Sequence, residues 1–528
     1  MNIAQLLVEQ AHQHGSHPAL EEIRWGQQRT LSFADLNQKS AQVAALFQNL
    51  GLQPGEKVLI FQAMSTSLYI VLLACFRLGL VATFMDPAAP ADQIAACCQR
   101  IQPVAFVGSL KAHLLRLRHA RLRAIPHAIG IGPGLPGTTP LSSAWHLLPW
   151  DRIQKVEGES PALLTFTSGS TGAPKGAIRT HELLLAQYRA LKAAIQLQPD
   201  DRDLCTLPMF ALANLAAGVT TLIPNLDLRR PGHIKPAAVI AQIQRYPPTR
   251  AAAPPAFWER IIPFCQERDL RLESLQRITT GGTPVFPRLL QQLASIAPQA
   301  EITALYGSTE AEPIAPMRYS QITPEDLDRM VCGQGLLTGY PIPQIQVRIL
   351  ASQGDQPLPA FTPASFESLC LSPQQPGEIV VIGEHVLKGY LDGQGNQEHK
   401  LRVGEQIWHR TGDAGYLDEG GRLWLLGRDR ARVVDSQGTL YPFAVESAAT
   451  QIQGIRRTAL IQFRDQRLLV VEADPSPSRS HLQSRLQEAL SWAHLDRILF
   501  LPHIPVDRRH NGKIDYPALR QWLTHHLS

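Results

Sequence analysis

Apolar and polar positions change rhythm repeatedly along this chain, and each change marks an element. Helical spacing of apolar residues predicts a helix over 33–49, stopped by Gly51 and the Gln53-Pro54-Gly55 turn. An apolar run predicts a strand over 57–61, helical spacing returns over 67–78, and strand-like runs follow at 81–85 and 104–107. Alternation of this kind predicts an α/β fold with buried sheets. Residues 126–160 and 351–376 are rich in turn-forming residues and read as surface connections. After about residue 375 the texture changes to short β-like runs at 378–382, 423–426, 459–463 and 468–472, separated by Gly turns. Two amphipathic helices follow, near 481–494 and 517–527. The expected organisation is a large N-terminal domain (1–427) of layered sheets and helices and a small α+β C-terminal domain (428–528).

Composition narrows the field. With 528 residues, 44% hydrophobic and 18% charged, the chain is neither disordered nor fibrous. Its net charge of +5 is weak for this length and no run of consecutive basic residues stands out, so no nucleic-acid partner is expected. The seven cysteines include no CxxC pair, which argues against a zinc site or disulfide framework; Cys97-Cys98 reads as helix packing. The apolar stretch 68–84 is broken by Arg77 and Gly79 and reads as a buried helix and strand rather than a membrane span. The first residues lack the signal-peptide pattern, so the cytoplasm is the expected location.

The densest chemistry lies in ALLTFTSGSTGAPKGAIRTH, residues 162–181. A strand leads into Thr167, Ser168, Gly169, Ser170, Thr171 and Gly172, followed by Lys175 and Gly176. Such a loop turns tightly and offers N–H groups, hydroxyls and a positive charge to phosphate oxygens. The spacing does not fit GxxxxGK[ST], and Pro-Lys-Gly leads into another strand rather than directly into a helix, so it is not a Walker A loop.

TSGSTGAPKG resembles the phosphate loop of the adenylate-forming superfamily of acyl-CoA synthetases, adenylation domains and luciferases. Further segments match in order: Gly281-Gly282-Thr283-Pro284 at the adenine side, ALYGSTE over 304–310, HRTGDAGYL over 409–417, Gly427-Arg428 at the hinge, and Asn511-Gly512-Lys513 near the C-terminus. The resemblance implies ATP as substrate and Mg²⁺ as its ion. It gives Tyr306 and Gly307 to the adenine, Asp413 and Arg428 to the ribose, Thr309 to the α-phosphate, and Glu310 and Thr171 to the metal. Lys513 is the implied catalytic cation between the attacking carboxylate and the α-phosphate. Physically, joining two anions needs neutralised charge and in-line alignment. A carboxylate such as Asp413 can accept from both ribose hydroxyls, and Glu310 is a hard-oxygen ligand suited to Mg²⁺. His409, near Asp413, reads either as an acid/base or as a hydrogen-bonded core histidine.

The second half-reaction is read from departures. Leu207–Gly218, LPMFALANLAAG, falls where the family walls its acyl pocket, with Phe210, Ala211, Leu212 and Gly218 as candidate lining; plain core packing explains the same stretch. Ala211 stands where acyl-CoA synthetases commonly carry His, and no Asp is present to hold an amino group. The hinge reads GRDRARVV, with Arg430 and Val434 where relatives usually carry Asp or Lys and a second Lys. Several segments, including PVDRRHNGK over 505–513, resemble the β-lactone synthetases of olefin biosynthesis. That subgroup adenylates a long-chain β-hydroxy fatty acid, whose own hydroxyl then displaces AMP. The alternative is a fatty acyl-CoA or acyl-carrier ligase; a catalytically silent adenylate-fold binding module is a third reading. The expected partner is a fatty-acid-like small molecule, and pathway enzymes are compatible partners.

Overall fold

The computed structural model describes residues 1–24, 27–133, 135–167, 174–226, 234–354, 356–507 and 512–527. These fall into two compact units, Met1–Leu228 with Glu384–Asn396, and Arg229–Gly383 with Gln397–Ser528.

The first unit contains a seven-stranded sheet in the order Thr139–Pro140, His127–Ile131, Ala105–Ser109, Lys57–Phe61, Val81–Phe84, Pro161–Thr167 and Lys175–Thr180. All neighbours are parallel except the last pair. Parallel strands are covered on both faces, so their sequences are continuously apolar, as Lys57–Phe61 (KVLIF) illustrates. The helix Phe33–Asn49 starts at a capping box in which Ser32 and Asp35 exchange side-chain and backbone hydrogen bonds. Thr66–Leu78 ends at Gly79 with φ +67°, a left-handed conformation that favours glycine. Cys97 and Cys98 are buried on the helix Ala91–Ile101, and the cysteines are free. The connection expected over 126–160 is partly ordered, because Ile129 and Ile131 extend the buried sheet edge beside Ala105–Ser109. The other loop-like stretch also holds a short helix, Pro363–Glu367, capped by Thr362.

In the second unit, Arg250–Ala252, Arg277–Gly281 and Glu301–Ser308 run parallel, and Ala311–Arg318 turns back antiparallel. A six-stranded antiparallel sheet follows, built on Leu336–Gly339, Leu423–Arg428, Gln406–Leu417, Gly377–Gly383 and Ile345–Leu350, with Lys400–Val403 pairing Gln406–Leu417. Beyond Arg428 lies a smaller three-stranded sheet of Ile455–Phe463, Gln466–Ala473 and Arg497–Phe500. Its alternating residues serve two cores. Leu460, Leu469 and Val471 join Leu482 and Leu486; Ala459, Ile461, Leu468 and Val470 join Leu519 and Leu523. Period-two alternation thus lets one sheet hold helices on both faces. Among the described residues, no helix is long and apolar enough to cross a membrane.

Candidate active site

The antiparallel pairing of Gln406–Leu417 with Leu423–Arg428 sets Asp413 directly opposite Arg428. Side chains so paired share a face of the sheet. Arg428 Nη1 lies 3.2 Å from Asp413 Oδ1 and donates to the Thr411 carbonyl at 3.0 Å. Tyr306 Oη, on the strand Glu301–Ser308, donates to Asp413 Oδ2 at 2.8 Å. Burial, and then the Asp413 carboxylate, hold the Tyr306 phenol well above its usual range, so it stays a donor. The Asp413 N–H donates to Thr411 Oγ1 at 3.1 Å. The aspartate is therefore fixed at its backbone and at both oxygens.

Lys513 reaches this group from the chain's C-terminal part. Its N–H donates to Asp507 Oδ1 at 3.1 Å, and the Asp507 N–H donates to the Lys513 carbonyl at 2.9 Å. A Cβ on Gly512 would lie 2.9 to 3.1 Å from side-chain atoms of Thr283. Only a glycine lets this segment approach so closely. Desolvation, and then Arg428, lower the Lys513 ammonium pKa; Asp413, Asp507 and Glu310 oppose the shift.

These side chains wall a cavity of about 300 Å³. Thr283, Tyr306, Gly307, Asp413, Arg428 and Lys513 form one part of its wall; Phe443, Glu446, Thr450, Thr458 and Tyr516 form another. The Thr283 and Thr458 hydroxyls are buried without a hydrogen-bond partner among the described residues. Such groups are costly to leave unmade and welcome a polar ligand. Gly281 is closely packed, since a Cβ there would sit 2.5 Å from the Leu305 carbonyl oxygen, and Gly282 has φ +83°.

Thr309 and Glu310 are half-buried in the turn between Glu301–Ser308 and Ala311–Arg318. Ser308 Oγ accepts from the N–H groups of Glu310 and Ala311. Desolvation lowers the pKa of Lys400, to about 7, and of His409 and Lys513; the Glu310 carboxylate opposes each of these shifts, and it adds to the larger effect of Asp413 in raising Arg428. One carboxylate so placed fits Mg²⁺, which completes its shell with water and phosphate oxygens. His409 is buried, and its Nδ1 lies 3.1 Å from the His399 carbonyl and 3.3 Å from Lys400 Nζ. Desolvation, and then Lys400, push it well below its usual range. This fits the core-histidine alternative.

Ser168, Gly169, Ser170, Thr171, Gly172 and Asn511 lie outside the described residues. Thr167 ends the strand Pro161–Thr167 opposite Lys175. Lys175 is buried, with its aliphatic stem packed close to Gly395. Phe210, Ala211 and Leu212 are buried on the helix Pro208–Ala217, which ends at Gly218 with φ +79°. Leu212 borders a gap of only about 20 Å³ shared with Leu7, Leu73, Leu184 and others. Sequence reasoning did not single out Lys400, Thr411, Thr458 or Asp507. Thr411 and Asp507 left a trace, inside the HRTGDAGYL and PVDRRHNGK blocks.

The family model for AMP-binding enzyme matches residues 7–391. The chain belongs to the AMP-binding enzyme family. An olefin β-lactone synthetase of Stenotrophomonas maltophilia (strain K279a) is 31% identical, with 94% of this chain and 92% of that protein covered. Another, from Xanthomonas campestris pv. campestris, is 29% identical over 93% and 91%. An anthranilate CoA ligase in complex with anthranoyl-AMP superposes with a TM-score of 0.84, covering 100% of this chain and 98% of that one at 17% identity. That likeness bears out the expected mixed α/β fold with a large N-terminal and a smaller C-terminal domain. This AMP-binding enzyme is an adenylate-forming ligase of the β-lactone synthetase-like kind, and enzymes of its family use ATP.

Proposed function

We propose that this enzyme adenylates a long-chain β-hydroxy fatty acid and closes the product to a β-lactone. The observation carrying this reading is the near full-length similarity to two olefin β-lactone synthetases. Ala211 and the PVDRRHNGK block support it from the residues. The reading keeps the domain boundary at 427/428.

In the first step the substrate carboxylate attacks the α-phosphorus of ATP and pyrophosphate leaves. Asp413 accepts from the ribose hydroxyls, exchanging its contacts with Tyr306 and Arg428 for ligand ones. Tyr306 and the turn Gly281-Gly282-Thr283 flank the base. Lys513 neutralises the two approaching anions, a contribution that matters most where water is excluded. Glu310, with Thr171, would hold Mg²⁺, whose charge would offset that of the phosphates. In the second step the β-hydroxyl oxygen attacks the acyl carbonyl, AMP departs with the bonding pair, and the hydroxyl proton is released. The nucleophile is tethered, so holding the chain makes the step unimolecular.

The test supplies ATP, Mg²⁺ and a β-hydroxy fatty acid, with or without CoA, and identifies products by mass spectrometry. AMP and a β-lactone should form without CoA. An unhydroxylated acid of equal length should stall at the adenylate. A requirement for CoA, with an acyl thioester as product, would replace this reading by the acyl-CoA ligase alternative.

A further inference from the structure

The helix Leu110–Arg118 packs Ala112, His113 and Arg116 into the first unit. His113 Nε2 lies 3.0 Å from the Ile129 carbonyl, and its ring meets Phe106 edge-on. The outward face is unusual. Leu110, Leu114 and Leu117 are 38%, 48% and 45% exposed. At 100° per residue they form one stripe about 60° wide. Among the described residues the other large exposed apolar side chains, Met1, Leu148, Tyr340, Leu369 and Val434, are isolated from one another along the chain.

Cations flank that stripe. Lys111 and Arg118 project beside it, and Arg121 and Arg123 follow on the short helix Ala120–Arg123. All four are exposed, and none forms an ion pair among the described residues. Between Asp92 and Asp151 the chain has no acidic residue at all, so no neighbour in sequence cancels this charge.

We propose that this face docks on the surface of an anionic lipid bilayer. An apolar stripe beside unpaired Lys and Arg is the chemistry of a helix lying in the headgroup plane, leucines toward the acyl chains and cations against phosphates. A second copy of the same face would set cations against cations. A nucleic acid would satisfy the arginines but leave the leucines in water. The proposal does not depend on which acid the enzyme activates.

The test is co-sedimentation of the full chain with vesicles of equal parts phosphatidylglycerol and phosphatidylcholine, alongside vesicles of phosphatidylcholine alone. The chain should pellet with the anionic vesicles only, and less as salt screens the charge. The triple variant Leu110→Ser/Leu114→Ser/Leu117→Ser and the double variant Lys111→Glu/Arg118→Glu should each weaken partitioning about tenfold or more. ATP–pyrophosphate exchange with a soluble acid should be unchanged in both, which shows that they fold and separates this result from the functional reading. Equal binding to both vesicles, no binding, or binding untouched by the variants overturns the proposal. Loss of a dimer in the variants without loss of vesicle binding would overturn it in favour of a second copy.

Discussion

Two parts of one cavity wall are built on opposite principles. Around Asp413, charges are plentiful and mutually compensated: a carboxylate meets Arg428 and Tyr306, with the Lys513 ammonium nearby. Around Glu446, the acid stands without a basic partner among the described residues. Its Oε1 accepts from the Leu460 N–H at 3.1 Å and from Tyr516 Oη at 3.4 Å, and burial raises its pKa to about 8. The first arrangement can trade internal partners for those of an anionic ligand. The second keeps its acid neutral at pH 7, and serves to tie Pro442–Ala449 to Ile455–Phe463 and Tyr516–His526. Residues lining one cavity can thus divide into a group suited to exchange partners with a ligand and one that holds the wall in place.

The largest expected effect lies on the charged part. Lys513→Ala should lower adenylate formation by about 10²–10³, the usual cost of one electrostatic contact to a transition state. ATP should still bind, because Asp413, Tyr306 and Thr283 remain. Pyrophosphate exchange and nucleotide titration separate the two quantities. Wild-type exchange in the variant would remove Lys513 from the chemistry and leave it a wall residue like Glu446.

Asp413→Ala should weaken ATP binding by roughly 10–100-fold, since hydrogen bonds to a charged group contribute about 1.5–3 kcal/mol. Unchanged affinity in calorimetric titration would make Asp413 an anchor for Arg428 and erase the contrast. Thr283→Val should act in the same direction but only by several-fold, as one neutral hydrogen bond contributes about 0.5–1.5 kcal/mol. The valine keeps the side chain's volume against Gly512 and removes only the unpartnered hydroxyl.

The difference between these regions also decided what could be read in the sequence. Helices and strands with strong periodicity were legible almost to the residue: 33–49 and 57–61 coincide with Phe33–Asn49 and Lys57–Phe61. His127–Ile131 was hidden because glycines and prolines on its C-terminal side mask a short strand that draws its stability from a neighbour. Asp413, Tyr306 and Lys513 were legible because their chemistry sits in compact motifs, and the structure brings them together across distant segments. Glu446–Tyr516 and Lys400–His409 are contacts made by sheet register and helix packing, which a local pattern does not carry. The basic face at Leu110–Arg118 forms no run of consecutive cations, because its charges are spaced by leucines. The helix Pro208–Ala217 remains the least legible: its small apolar residues suit an alkyl chain and a packed core equally, and within its own unit they are buried.

The smallest expected effect is on the other part of the wall and concerns stability rather than rate. Glu446 has its pKa raised from 4.5 to about 8 in the folded chain. Between those values the native state holds a proton that the unfolded chain releases. The stability tied to that proton is fully present below about pH 4.5, declines across the window, and is lost as pH rises through about 8. Glu446→Gln cannot ionise, keeps an acceptor for Leu460 and Tyr516, and preserves volume. Its thermal midpoint should match the wild type near the acid edge of the window and exceed it by a margin that grows toward about pH 8. Its pyrophosphate exchange at neutral pH should be unchanged. A parallel pH dependence of both midpoints would show that Glu446 is ionised and paired in solution. A loss of exchange with an unaltered midpoint would instead place Glu446 with Asp413 and Lys513, among the groups that act on the ligand.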